Sequence, residues 1–248
     1  MKTLILNKTL KILEVLSSSE RAVSLKEICE RTGITPPAAS RLLSDLTESG
    51  YIRKVTYRTF EPGLGMAALG QGAMRHDFFP RRAIDFLDSE LKKEDLQGAL
   101  AGMFHGRLVY LYHSYALAPR MAMLSEEHPL SVSNIALVIL SCRHGRKEAE
   151  KMMLGNLSET DHDPEIREKK AAIIRKCLRE FEKNHFSVWE NERGGRNICF
   201  PVASGAQIYG LSFLIGKDEK RDPSEIFLTC SGLVTSMRKM LEGVQSSR

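Results

Sequence analysis

The 248-residue sequence predicts an α+β protein: an N-terminal winged helix-turn-helix followed by a C-terminal antiparallel-sheet domain flanked by helices. Three observations carry this. Two helix signatures follow each other across a tight corner in SLKEICERTGITPPAASRLLSDLTESG, residues 24–50. A β-branched and aromatic run, YIRKVTYRTFEPG, comes directly after them. Further on, two hairpin patterns are interleaved with helical ones, the arrangement of an antiparallel sheet with helical layers.

The first helix is set by Leu6, Leu10 and Leu13, with Ile12 and Leu16 alongside, an apolar stripe that closes a small three-helix core. Ser24 and Glu27 have the spacing of a capping box, and Val23 and Ile28 that of a hydrophobic staple, so the second helix starts at about Leu25. Gly33 stands where a left-handed residue ends it. Thr35 then offers a hydroxyl cap and Pro36 occupies the first helical position of a third helix, which runs to Ser49 and stops at Gly50.

At 100° per residue, Ala39, Leu42, Leu43 and Leu46 gather on one face of that third helix. Pro37, Ser40, Arg41, Ser44 and Glu48 lie on the other. A helix entering a major groove needs short side chains there, plus a long donor such as Arg41 that can reach guanine bidentately. In the hairpin that follows, Arg53, Lys54 and Arg58 are placed to touch phosphate or the minor groove. The expected DNA contacts are therefore Thr35, Pro37, Ser40, Arg41, Ser44, Arg53, Lys54 and Arg58. The plain structural alternative is an amphipathic hairpin of two core helices with a charged, solvated edge beside it.

Composition permits nucleic acid without requiring it. Residues 1–72 carry ten Lys and Arg against seven Asp and Glu, and the remainder carries 26 against 24. Positive charge is thus denser at the N-terminus, as phosphate contact needs. Five single cysteines without a C-x-x-C point to reduced thiols. The opening MKTLILNKTL is too short for a signal-peptide core, and the longest apolar run, Ile135 to Leu140, cannot span a bilayer. A cytoplasmic protein with no membrane partner is expected.

Past the hairpin, MAALGQGAMRHDFF suits a linker helix leading to Pro80, and RRAIDFLDSELKK places Ile84, Leu87 and Leu91 at helical spacing. Gln97 to Phe104 and Leu108 to Ser114 form a hairpin around His105-Gly106. Helices are expected at Ser133 to Cys142, Lys147 to Leu154 and Glu165 to Asn184. A second sheet segment spans Phe186 to Gly216, broken at Gly194-Gly195 and Ser204-Gly205, and Pro223 opens the last helix. The domains are then 1–64 (winged helix-turn-helix), 65–80 (linker helix) and 81–248 (the C-terminal α+β domain).

Catalysis finds little support. Neither His185 nor His113 stands with Cys199 in a nucleophile motif, and Asp161-His162-Asp163 lacks a second cluster at metal spacing. No catalytic residue, metal or cofactor is expected.

The opening helix LNKTLKILEVL, the SLKEICERTGI and SRLLSDLTESGYI segments, and FEPGLGMAALG at 60–70 resemble the IclR (isocitrate lyase regulator) family of bacterial transcription regulators. GALAGMFHGRLVYLYHS, HPLSVSNIALVILS and GRNICFPVASGAQIYGLSFLIG resemble segments of that family's effector domain, so nearly the whole chain is covered. The resemblance implies a DNA-binding repressor or activator, a homodimer or tetramer on a near-palindromic operator, whose C-terminal domain senses a small molecule. It places an effector site at Ser131, Ser133 and Asn134, at the start of a helix, with Leu137 where the family often has lysine. The family's recurring cysteine falls on Asn197, its two last-strand serines on Phe213 and Ile215, and its acidic position on Trp189 or Glu190. Trp189, Phe213 and Ile215 would make the cavity apolar, which suits an apolar or aromatic effector. Equally, they fill it as core, leaving an effectorless DNA-binding regulator. A third reading is a winged-helix protein-interaction module.

Overall fold

The computed structural model describes residues 2–75, 81–114, 129–190 and 194–245 and divides into two compact units, Met1–Phe78 and Phe79–Arg248. In the first unit, helices α1 (Lys2–Ser17), α2 (Leu25–Thr32) and α3 (Pro36–Glu48) pack with strands β1 (Val23–Ser24), β2 (Ile52–Lys54) and β3 (Thr59–Pro62), and α4 (Leu64–Arg75) follows. The strands form one small antiparallel sheet in the order β1-β3-β2. This is a winged helix-turn-helix.

Local chemistry explains its corners. The Ser24 hydroxyl accepts from the Glu27 N–H at 3.2 Å, while the Glu27 carboxylate turns to Arg21 at 3.1 Å. Gly33 closes α2 at φ 69°, a conformation costly for any residue with a Cβ. Thr35 differs from expectation: it stands at the N-cap of α3 but its side chain makes no capping bond. Pro37, at the second helical position, lacks one of the two N–H groups such a cap would serve.

The core of this unit holds Ile12, Leu16, Ile28, Leu43 and Ile52, all fully buried. Each such side chain contributes about 1.5–3 kcal/mol by leaving water. Leu6 and Leu10 do not join them, being 58% and 45% exposed. The core reaches only the C-terminal half of α1, where Ile12, Val15 and Leu16 are buried, so the stripe outruns what there is to cover it. The proposed linker begins on α4, and its residues 76–80 lie outside the described residues.

The second unit is built on a five-stranded antiparallel sheet in the order β5-β4-β8-β7-β6, with β4 at Gln97–Phe104, β5 at Arg107–His113, β6 at Ser187–Glu190, β7 at Arg196–Ser204 and β8 at Gln207–Ile215. The β4–β5 turn has positive φ at both His105 and Gly106, the signature of a two-residue turn matched to strand twist. Helices α5 (Arg81–Lys93) and α8 (Pro223–Gln245) cover one face; α6 (Asn134–Thr160) and α7 (Pro164–Asn184) cover the other. A 3-10 turn at Leu130–Val132 leads into α6. Gly145, at φ 76° and ψ 167°, interrupts α6 and divides it into two helical stretches, as the separate patterns at 133–142 and 147–154 anticipate. Asp163 caps α7, accepting from the Glu165 N–H at 2.9 Å, and Asp161 pairs with Lys170 at 2.8 Å. The Asp161-His162-Asp163 run is thus helix-end chemistry.

Strand alternation sorts the sheet residues between the two layers. Ile198, Phe200, Val202, Leu211, Phe213 and Ile215 pack under α5 and α8. On the opposite face, Ser187, Cys199, Ser212 and Ala99 pair across four strands as one row, and Cys199 and Ala99 pack with α6 and α7.

Candidate nucleic-acid interface and sensor site

The face of α3 opposite its core is open. Ala39, Leu43 and Leu46 are buried, while Pro37, Ser40, Arg41, Ser44 and Glu48 are exposed. The side chains at this surface are short apart from Arg41 and Glu48, so a groove floor can approach the helix closely. Thr35 is exposed at its N-terminal end.

The wing residues Arg53, Lys54 and Arg58 are exposed as well. Arg53 lies opposite Glu61 in the hairpin register and forms an ion pair with it. The Lys54 ammonium sits 5.0 Å from the centre of the Tyr57 ring and 6.0 Å from that of Phe60, which steadies a long side chain without neutralising it. Of these three cations, Arg53 therefore offers least free charge to a phosphate.

In the second unit, Ser131, Ser133 and Asn134 come together at the start of α6, all buried. The Ser133 hydroxyl caps the helix by accepting from the Ala136 N–H at 3.2 Å. Asn134 Nδ2 donates to the Ser187 carbonyl at 3.2 Å and to the Asn197 carbonyl at 2.8 Å, tying α6 to two strands. It also lies 3.2 Å from Asn197 Oδ1, which accepts from the Ser212 hydroxyl at 2.8 Å. The Ser131 N–H donates to Asn156 Oδ1 at 3.0 Å. Trp189, directly opposite Asn197 across β6 and β7, packs on this same side.

Phe213 and Ile215 do not belong to this site. They point to the other face and are buried under α5 and α8, Phe213 meeting Phe200 edge-on at 6.1 Å between ring centres. Gly210 and Ser212 are on the face of β8 toward α6, Ser212 one position from Phe213, and a shift of one residue reverses a strand's faces. Glu190 is likewise misplaced: it pairs with Arg196, opposite Ile215, and is exposed. Phe213 and Ile215 therefore cannot make a cavity at the start of α6 apolar. Sequence reasoning missed Ser212, Ser187 and Asn156, which only long-range pairing brings in.

Cys199 is fully buried. Burial pushes its thiol well above the usual range, and Cys177 rises to about 11 for the same reason. A separate cavity of 280 Å³ opens beside the interruption of α6, lined by Cys142, Arg146, Phe181, Glu182 and His185 among others; none of the sequence-predicted site residues lines it. Among the described residues, no group of His, Cys, Asp or Glu has the geometry of a metal site, and no helix is long and apolar enough to cross a membrane.

Residues 6–56 match the IclR helix-turn-helix domain family. The IclR likeness of the remainder is one of fold. An IclR-family transcriptional regulator from Brucella abortus is 18% identical, covering 97% of this chain and 91% of its own, with a TM-score of 0.75. An IclR transcriptional regulator from Alicyclobacillus acidocaldarius is 17% identical over 96% and 97%, with a TM-score of 0.67. An IclR homolog from Microbacterium hydrocarbonoxydans, solved with 4-hydroxybenzoate, is 16% identical over 95% and 99%, with a TM-score of 0.62. No curated protein matches the chain by sequence. The resemblance to the IclR helix-turn-helix family is thus borne out over residues 6–56, and so is the α+β architecture.

Proposed function

We propose that the chain is a sequence-specific DNA-binding transcription regulator of the IclR type, acting in the cytoplasm and without catalysis of its own. The observation that carries the reading is the exposed face of α3, short side chains around Arg41, in a domain that matches the IclR helix-turn-helix family. Arg41 reads base edges. Lys54 and Arg58 hold phosphate, with Thr35, Pro37, Ser40 and Ser44 lining the groove-facing surface and Arg53 assisting from its pair with Glu61.

The second unit holds a small-molecule effector at the start of α6, among Ser131, Ser133, Asn134, Asn197 and Trp189. Its fold is shared with a homolog solved with 4-hydroxybenzoate, which supports a ligand-holding role. A ligand that binds one arrangement of the protein better than another shifts DNA affinity by that difference and no more. The protein works as a homodimer or tetramer on a near-palindromic operator.

The test is selection of bound sequences from genomic fragments, followed by fluorescence anisotropy on the selected site and on random DNA. Arg41→Ala is expected to cost about 1–3 kcal/mol on the selected site and little on random DNA. Arg58→Ala should weaken both alike and flatten the salt dependence. Salt-insensitive binding, or no enrichment of any sequence, would favour the protein-interaction module instead.

A further inference from the structure

We propose that the buried polar cluster at the start of α6 takes a neutral ligand that donates a hydrogen bond, an amide or hydroxyl compound, in preference to a bare carboxylate; the proposal rests on the sensor reading above. Asn134 decides it. Its Nδ2 faces two carbonyl oxygens, of Ser187 and Asn197. Because carbonyls only accept, the amide cannot be turned the other way. Its Oδ1 is thereby committed to the opposite direction, where it is buried with no hydrogen-bond partner. Asn134 is only 5% exposed and Ser131 fully buried, and the Ser131 hydroxyl has no partner either.

An amide oxygen can only accept, so whatever meets Asn134 Oδ1 must bring an N–H or O–H. A carboxylate brings neither. The residues hydrogen-bonded to this cluster are Asn156, Ser187, Asn197 and Ser212, none of them cationic. The unpaired Ser131 hydroxyl can donate to a carboxylate, but equally to the carbonyl of an amide, so it does not discriminate; what favours an anion is the N-terminus of α6, a pull worth about two- to fivefold at an ordinary site. Leaving a buried acceptor unpaired costs about 5- to 150-fold. The donor requirement outweighs the helix.

Calorimetry on the full-length protein with two matched pairs, propionamide against propionate and benzamide against benzoate, tests this at two ligand sizes. At least one amide is expected to bind about tenfold or more tightly than its carboxylate. Asn134→Leu should abolish that preference; since Asn134 also ties α6 to two strands, Ser131→Ala is run beside it and should weaken the amide severalfold. A carboxylate that binds as well as its amide, or four compounds that fail to bind at millimolar concentration, would overturn the proposal, the latter meaning that water alone satisfies Asn134. DNA binding is measured on the same preparation. Loss of DNA binding with the amide preference intact would sink the regulator reading and leave the ligand class standing.

Discussion

Glu219 shows how one side chain ties a loop to a distant element. Its carboxylate takes the Arg221 guanidinium at 2.7 and 3.0 Å and the Arg221 backbone N–H at 3.0 Å, and the same guanidinium donates to the Glu94 carbonyl at 2.8 Å. The turn before α8 is thereby fastened to the end of α5. The Arg221 side-chain bonds, then the backbone bond, lower the Glu219 carboxyl from 4.5 to about 2. The unfolded chain therefore takes up this proton first as pH falls. Stability from the pair is fully present above the ordinary carboxylate range and is lost as pH drops from there toward about 2. Glu219→Gln should lower the melting temperature at neutral pH, and the gap from the parent protein should close on acidification. A gap that stays constant across the titration would mean that the carboxylate's charge plays no part.

At the scale of elements, the contact of α6 with β8 is the tightest joint of the second unit that a single substitution can probe. A Cβ on Gly210 would lie 2.8 Å from Ile135 Cγ2 and 3.3 Å from Ile135 Cα, and a methyl borne on Cβ cannot swing aside as a long side chain would. Gly210→Ala is expected to destabilise the protein by about 1–3 kcal/mol in chemical denaturation; unchanged stability would show that α6 can lift from the sheet freely. The same joint shows what was legible in the sequence. The faces of α3 could be read because helical period and end chemistry are local, and Ala39, Leu43 and Leu46 are where they were expected. The faces of β8 could not. Tyr209 to Phe213 are all buried, because helices cover both sides of this sheet, and a strand buried on both faces shows no polar alternation to fix its orientation. Phe213 and Ile215 were misplaced for that reason. Asn134 posed a different problem, since its partners lie 53 and 63 residues away and no local pattern reports them.

For the whole molecule, the apolar side chains that the first unit leaves uncovered bear on assembly. Leu4, Ile5, Leu6 and Leu10 on α1, and Leu64 and Leu69 on α4, are each between 45% and 84% exposed. Exposed apolar side chains that gather on one face usually meet a partner, and one recognition helix makes too few base contacts to choose an operator among genomic competitors. A second copy satisfies both. Light scattering should report a dimer or tetramer at micromolar concentration, and Leu6→Glu with Leu10→Glu should shift it toward monomer. A parent protein that stays monomeric alone and on DNA would refute the oligomer.

The proline pair at the start of α3 has a consequence for how such an assembly would hold its DNA. Helix termini commonly grip phosphate through free amide hydrogens. Here Pro36 and Pro37 have none, and the Ala39 N–H is already spent on the Thr35 carbonyl at 2.9 Å, so Ala38 alone has one to offer within the first turn. In the proposed complex, anchorage would pass from the backbone to side chains, the uncapped Thr35 hydroxyl and above all the wing cations. Cations displace condensed counterions where neutral amides do not, so a larger share of the affinity becomes the entropy of released salt. The hold on DNA then answers to the ionic strength around the complex.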